Sequence, residues 1–97
     1  MTAGLREKRI GQRVVTSMPV YLKSVEGVTR DVSASGVFFW TSDAVCVPGE
    51  LISFSVKLER PDGRMMLRCQ GDVVRTEPHA SLIGVAVKIT DSMMVSA

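Results

Sequence analysis

The sequence predicts an all-β fold, a six-stranded antiparallel β-barrel with any C-terminal helix short or absent. Three observations carry this. Ile52, Phe54, Val56 and Leu58 alternate with Ser53, Ser55, Lys57 and Glu59, the period-two pattern of a strand with one buried face. No window of the chain has helical period. Turn chemistry divides the chain into six strand-like runs between Val14 and Ile89, and closing so small a sheet into a barrel removes its exposed edges.

Taken in order, residues 1–12 have no apolar periodicity and read as a flexible leader. Val14, Thr16, Met18, Val20 and Leu22 then share one face of a first strand, and Pro19 within it argues for an edge or a bulge. Glu26-Gly27 reads as a turn, followed by a short run from Gly27 to Val32. Val37-Phe38-Phe39-Trp40-Thr41 is β-branched and aromatic, as strands prefer. Pro48-Gly49 is a turn, and Leu51 to Glu59 is the clearest strand. Pro61-Asp62-Gly63 supplies hairpin chemistry. Met65, Leu67, Cys69, Gly71 and Val73 keep period two as far as about Thr76, and Glu77-Pro78-His79 reads as a loop. Ile83, Val85, Val87 and Ile89 alternate again in a closing strand. The barrel domain is placed at residues 8–91, and residues 92–97 read as a tail too short for a stable isolated helix.

At 97 residues the chain is one domain with a modest core, and 45% hydrophobic residues place it among globular proteins. Twelve basic against ten acidic residues are too balanced for a protein that coats DNA. The basic residues are unevenly placed, however: Arg6, Lys8, Arg9 and Arg13 lie close together with only Glu7 opposing them. Cys46 and Cys69 are isolated, with no Cys/His cluster, so no metal site is expected. Cys69 reads as a buried thiol. The charged residues 6–13 argue against a secretory segment, and no run approaches a membrane span. The expectation is a cytoplasmic protein.

Two short segments carry chemistry. Arg9-Ile-Gly-Gln-Arg13 offers two guanidinium forks on a glycine-containing segment. Such forks match phosphate oxygens and the acceptor edge of guanine, and they stack on flat rings. Asp31-Val-Ser33-Ala-Ser35-Gly36 offers a carboxylate, hydroxyls and a tight turn between two strands. A carboxylate accepts hydrogen bonds from the amino and imino groups of guanine. Together they suit a small, anionic, guanine-containing ligand. As a plain β-turn, the same segment would use Asp31 and Ser33 as surface turn caps and Gly36 for a positive φ.

At these residues the chain resembles the PilZ domain family, which binds cyclic di-GMP. Arg9-x-x-x-Arg13 matches the family's RxxxR, and Asp31-x-Ser33-x-x-Gly36 its [DN]xSxxG. Cys69-Gln-Gly71-Asp-Val-Val-Arg75 is similar to its central GxVvr strand, and Ile83 to Ile89 to its closing GVxVxF strand, with Ile89 where Phe is frequent. The resemblance implies a bacterial second-messenger receptor with no cofactor and no catalysis. Arg9 and Arg13 would wrap over the nucleotide, contacting phosphates and the guanine Hoogsteen edge and stacking on the base. Asp31 and Ser33 would meet the other guanine, and Gly36 would let the backbone approach. Lys8 and Ser35 are further candidates. Nucleotide binding would order the leader and create a surface for a downstream protein partner.

Two rivals follow from the same residues. One is a PilZ-like interaction module that binds no nucleotide. The other is a barrel for single-stranded nucleic acid, which needs aromatics interleaved with a basic groove. The aromatic content is one Trp, one Tyr and three Phe, and Phe38, Phe39 and Trp40 are consecutive, so a nucleic-acid polymer is not expected. His79 has no partner at ligand spacing, and no G-x-S-x-G elbow or phosphate-binding loop is present.

Overall fold

The first strand breaks at the position where Pro19 interrupts the alternation. In the computed structural model, which describes residues 14–23, 25–42, 46–61 and 63–96, it divides into β1 (Val14–Val15) and β2 (Pro19–Tyr21). Both halves pair antiparallel with β3 (Glu26–Val32), Val15 opposite Asp31 and Pro19 opposite Val28, so the intervening residues hold one extra position. The side chain of Thr29 closes that gap. Its hydroxyl donates to the Thr16 carbonyl at 2.5 Å and accepts from the Met18 N–H at 2.8 Å. The bulge expected from Pro19 is therefore present, and buried Thr29 satisfies its stranded backbone groups.

The remaining strands are β4 (Gly36–Thr41), β5 (Leu51–Arg60), β6 (Gly63–His79) and β7 (Leu82–Ser96). Neighbours run β3-β2-β5-β6-β7-β4, and the β3–β4 pairing closes the ring. The result is a closed six-stranded antiparallel barrel, as the sequence predicts, with no helix among the described residues. Among those residues, no helix is long and apolar enough to cross a membrane. Val20, Val37, Phe39, Phe54, Val56, Cys69, Val73, Val85 and Val87 fill the interior. Nearly all are the inward-facing members of the alternating runs, and Phe39 and Phe54 pack with ring centroids 5.6 Å apart.

Pro48-Gly49 forms the expected turn. The Glu50 N–H donates to the Val47 carbonyl at 3.0 Å, and Gly49 has φ +94°, which a type II turn requires at its third residue. β5 and β6 pair up to Arg60 opposite Gly63, so the chain reverses between those two residues.

Three local expectations are corrected. Glu26-Gly27 is not a turn but the start of β3; the chain reverses just before it, where the Leu22 N–H donates to the Val25 carbonyl at 2.9 Å. Glu77-Pro78-His79 is not a loop but the end of β6, and the reversal is at Ala80-Ser81, with Ala80 at φ 57°. Pro78 is tolerated there because β5 leaves β6 at Asp72, so β6 pairs only with β7 beyond it. Residues 92–96, read as part of a tail, continue β7 against Met65–Cys69.

Candidate functional site

The Asp31–Gly36 segment folds as the hairpin joining β3 to β4, and a bulge sets its chemistry. Thr29 pairs with Phe39 and Asp31 with Phe38, so Arg30 is an extra residue in β3. Cross-strand partners share a face. Thr29 and Phe39 therefore point into the barrel, while Asp31 and Phe38 lie on its outer face. Arg30 joins that outer group. Its Nε–H donates to Asp31 Oδ2 at 2.7 Å, and its guanidinium carbon sits 3.9 Å from the centre of the Phe38 ring. The Arg75 guanidinium approaches the same ring at 5.9 Å and is paired with Glu77 at 2.7 Å. Trp40 packs edge-on against Phe38 at 5.1 Å, and the His79 ring lies 5.6 Å beyond Trp40.

Asp31 is therefore not the surface turn side chain the sequence suggests. It belongs to β3 and is 4% exposed. The turn proper is Ser33 to Gly36. The Ser33 N–H and, more weakly, its hydroxyl donate to the Gly36 carbonyl, at 2.8 and 3.3 Å. The Ser35 carbonyl accepts from the Ile89 N–H at 2.9 Å, which ties the turn to β7. Gly36 does not supply a positive φ. Its smallness answers a close approach: a Cβ there would stand 2.9 Å from the Val87 carbonyl oxygen on β7.

Beside the turn is an outer-face cleft of about 290 Å³, with Ser33, Ser35, Gly36, Phe38, Arg75 and Lys88 in its lining. A larger hollow of about 960 Å³ lies elsewhere, between β2, β5, β6 and β7, and is lined by Tyr21, Phe54, Arg68, Cys69 and Met93 among others. Size favours the hollow, but chemistry favours the cleft. The hollow also has two cationic side chains, Lys23 and Arg68, but only the cleft sets its pair, Arg75 and Lys88, beside the Asp-x-Ser-x-x-Gly turn, and a few convergent polar groups are what orient a ligand. Among the described residues no group of three or more His, Cys, Asp or Glu could hold a metal ion.

Of the residues expected at the site, the structure brings Asp31, Ser33, Ser35 and Gly36 together at one end of the β3–β4 hairpin. Lys8, Arg9 and Arg13 lie outside the described residues. The segment that carries them joins the barrel at Val14, which pairs with Val32, next to Ser33. Sequence reasoning gave no role to Arg30, Phe38, Arg75 or Lys88. A signal existed for Lys88: Gly84, Ala86 and Lys88 alternate with the inward Val85 and Val87 and so face outward beside β4. No comparable signal marked Arg30, whose placement depends on the bulge.

A comparison with curated proteins returned no match. The family model described as PilZ domain matches residues 6–95, nearly the whole chain, including both arginines of the RxxxR segment and the Asp31–Gly36 hairpin. On that match, together with the closed antiparallel barrel, the chain belongs to the PilZ domain family.

Proposed function

We propose that this protein is a non-catalytic receptor for cyclic di-GMP that acts as an adaptor. The observation that carries the reading is a juxtaposition. The Ser33–Gly36 turn borders a cleft walled by Arg75 and Lys88, Asp31 lies two residues before that turn, and the segment bearing Arg9 and Arg13 enters the barrel at Val14, opposite Val32. A dianionic ligand with two guanines matches that set. Cations meet the phosphates, an arginine fork meets guanine O6 and N7, and acceptors meet the guanine amino and imino groups. In this reading Arg9 and Arg13 fold over the nucleotide, with Lys8 beside them. Asp31 and Ser33 take the second guanine, and Ser35 and Gly36 shape the approach. Segments that two sites can fix only through a bridging ligand are natural switches. Ordering of the leader then presents a new surface to a protein partner in the bacterial cytoplasm, and no cofactor is required.

Isothermal titration of the full chain with cyclic di-GMP and, separately, cyclic di-AMP tests this. Adenine places an amino donor where guanine has O6. Cyclic di-AMP should therefore bind at least about tenfold more weakly, the factor that about 1.4 kcal/mol represents. Equal affinity for the two would remove guanine reading from the site. No heat with either would favour an interaction module that works without nucleotide.

A further inference from the structure

We infer that Arg30 is a specificity-determining residue of the same site, a fixed platform on which a purine base stacks. The inference rests on the nucleotide-binding reading above and adds a residue outside both recognised motifs. Three features of Arg30 carry it.

The first is its rigidity. An arginine side chain normally loses considerable rotamer freedom on binding. Here the Asp31 carboxylate holds Nε at 2.7 Å, and Phe38 supports the guanidinium from below at 3.9 Å. Phe38 is itself 2% exposed and fixed by Trp40. The cation is thus already ordered before any ligand arrives, so stacking on it costs little further ordering.

The second is accessibility. The side chain of Arg30 is 43% exposed although its carboxylate partner is buried at 6%. With one face of the plane against Phe38 and its Nε edge against Asp31, the exposure belongs largely to the opposite face. A guanidinium is flat, weakly hydrated and able to stack on both faces. A base laid on the outer face completes a sandwich of Phe38, Arg30 and purine.

The third is location. The Ser33–Gly36 turn begins two residues after Asp31, and Phe38, on whose ring Arg30 sits, lines the cleft together with Arg75. A base stacked on Arg30 therefore lies beside the acceptors assigned to guanine. Its phosphate lies toward Arg75 and Lys88. Arg30 is part of the barrel itself, in β3.

The test separates flatness from charge. Arg30→Lys keeps the positive charge and can keep a pairing with Asp31, but has no plane to stack on. Arg30→Gln keeps a planar group without the charge. Affinity for cyclic di-GMP would be measured by calorimetry for the wild type and both variants, with thermal melts of each. Cation–ring and base-stacking contacts imply a loss of about tenfold. The expected result is that loss in Arg30→Lys with a melting temperature near wild type, and a smaller loss in Arg30→Gln. If Arg30→Lys binds as tightly as wild type, Arg30 acts only as a charge and the platform is overturned. Should Arg30→Gln fail to fold, Arg30→Lys decides alone. If wild type itself binds neither cyclic dinucleotide, the nucleotide reading fails and the platform falls with it, an outcome seen in the wild-type titration alone.

Discussion

Arg30 and Asp31 are consecutive residues of one strand, yet the Arg30 Nε–H donates to the Asp31 carboxylate across 2.7 Å and both serve the outer face of the barrel. Consecutive residues of a regular strand point to opposite faces. The bulge at Arg30 cancels that alternation, and a buried aspartate gains a cation from its own neighbour. The resulting pair makes the site partly structural, which changes what substitution should do.

Asp31→Ala is expected to lower stability as well as affinity. Exposed ion pairs are worth about 0–1 kcal/mol, and breaking a fully buried one costs about 3–5 kcal/mol. With one partner buried and the other 43% exposed, a loss of about 1–2 kcal/mol lies between these limits. A thermal melt checks it, since 1 kcal/mol shifts a domain of this size by about 4–8 °C. An unchanged melt would return Asp31 to the role of a surface turn residue.

Arg9→Ala and Arg13→Ala should each weaken cyclic di-GMP binding about tenfold or more, because a hydrogen bond to a charged group is worth about 1.5–3 kcal/mol. Lysine at either position should rescue poorly, since it lacks the fork. Calorimetry showing wild-type affinity for both alanine variants would take the arginines out of the site.

Gly36→Ala should destabilise the barrel without reference to any ligand. Its Cβ would meet the Val87 carbonyl oxygen, a backbone atom that cannot swing aside. Overpacking of this kind costs about 1–3 kcal/mol. Denaturant titration of the free protein measures it, and a wild-type midpoint would mean that β4 and β7 can separate at no cost.

Thr29→Val keeps the shape of a fully buried side chain and removes both of its hydrogen bonds. The Met18 N–H and Thr16 carbonyl then lose their partner, at a cost of about 1–3 kcal/mol for a buried unsatisfied group. The β1–β2 junction should also exchange its amides faster. Wild-type exchange at Met18 would show that water replaces the hydroxyl without penalty.

Alkaline stability should depend on Cys69. Burial pushes its thiol up from 9.0 to about 11, because the interior disfavours the thiolate. The unfolded thiol thus releases its proton at lower pH than the folded one. The contribution of Cys69 is fully present below pH 9 and is lost as pH rises from 9 through 11. Melting temperatures across that window should fall more steeply for wild type than for Cys69→Ala, whatever their difference at neutral pH. Parallel curves would remove the thiol as the cause.

The strands with one clean buried face were legible in the sequence. Phe54 and Val56 sit in the core as their alternation with Ser53 and Ser55 requires. Where reading failed, the cause was pairing that leaves no local mark. Pro78 signals a loop locally and is harmless only because β5 ends opposite Asp72. Asp91 to Ser96 lack a clear period, yet they are held by β6 across Met65 to Gln70. At the site, the Asp-x-Ser-x-x-Gly spacing located the hairpin. The burial of Asp31 and the place of Arg30 follow from a register shift, which only the β3–β4 alignment reveals.

Closure of the ring also has a kinetic side. β5, β6 and β7 form a meander of adjacent hairpins, so their pairings are short-range in the chain. The seam between β4 and β7 joins Gly36–Thr41 to Ile83–Lys88, far apart in sequence, and such distant contacts form slowly because loop-closure entropy precedes their reward. The Ser33–Gly36 turn sits on this seam, held to β7 by the Ser35–Ile89 hydrogen bond. The site therefore depends on a pairing between segments distant in the chain and is lost in any opening of that seam. Whatever binds across the turn also acts as a latch, and its binding energy adds directly to the work needed to spring the barrel.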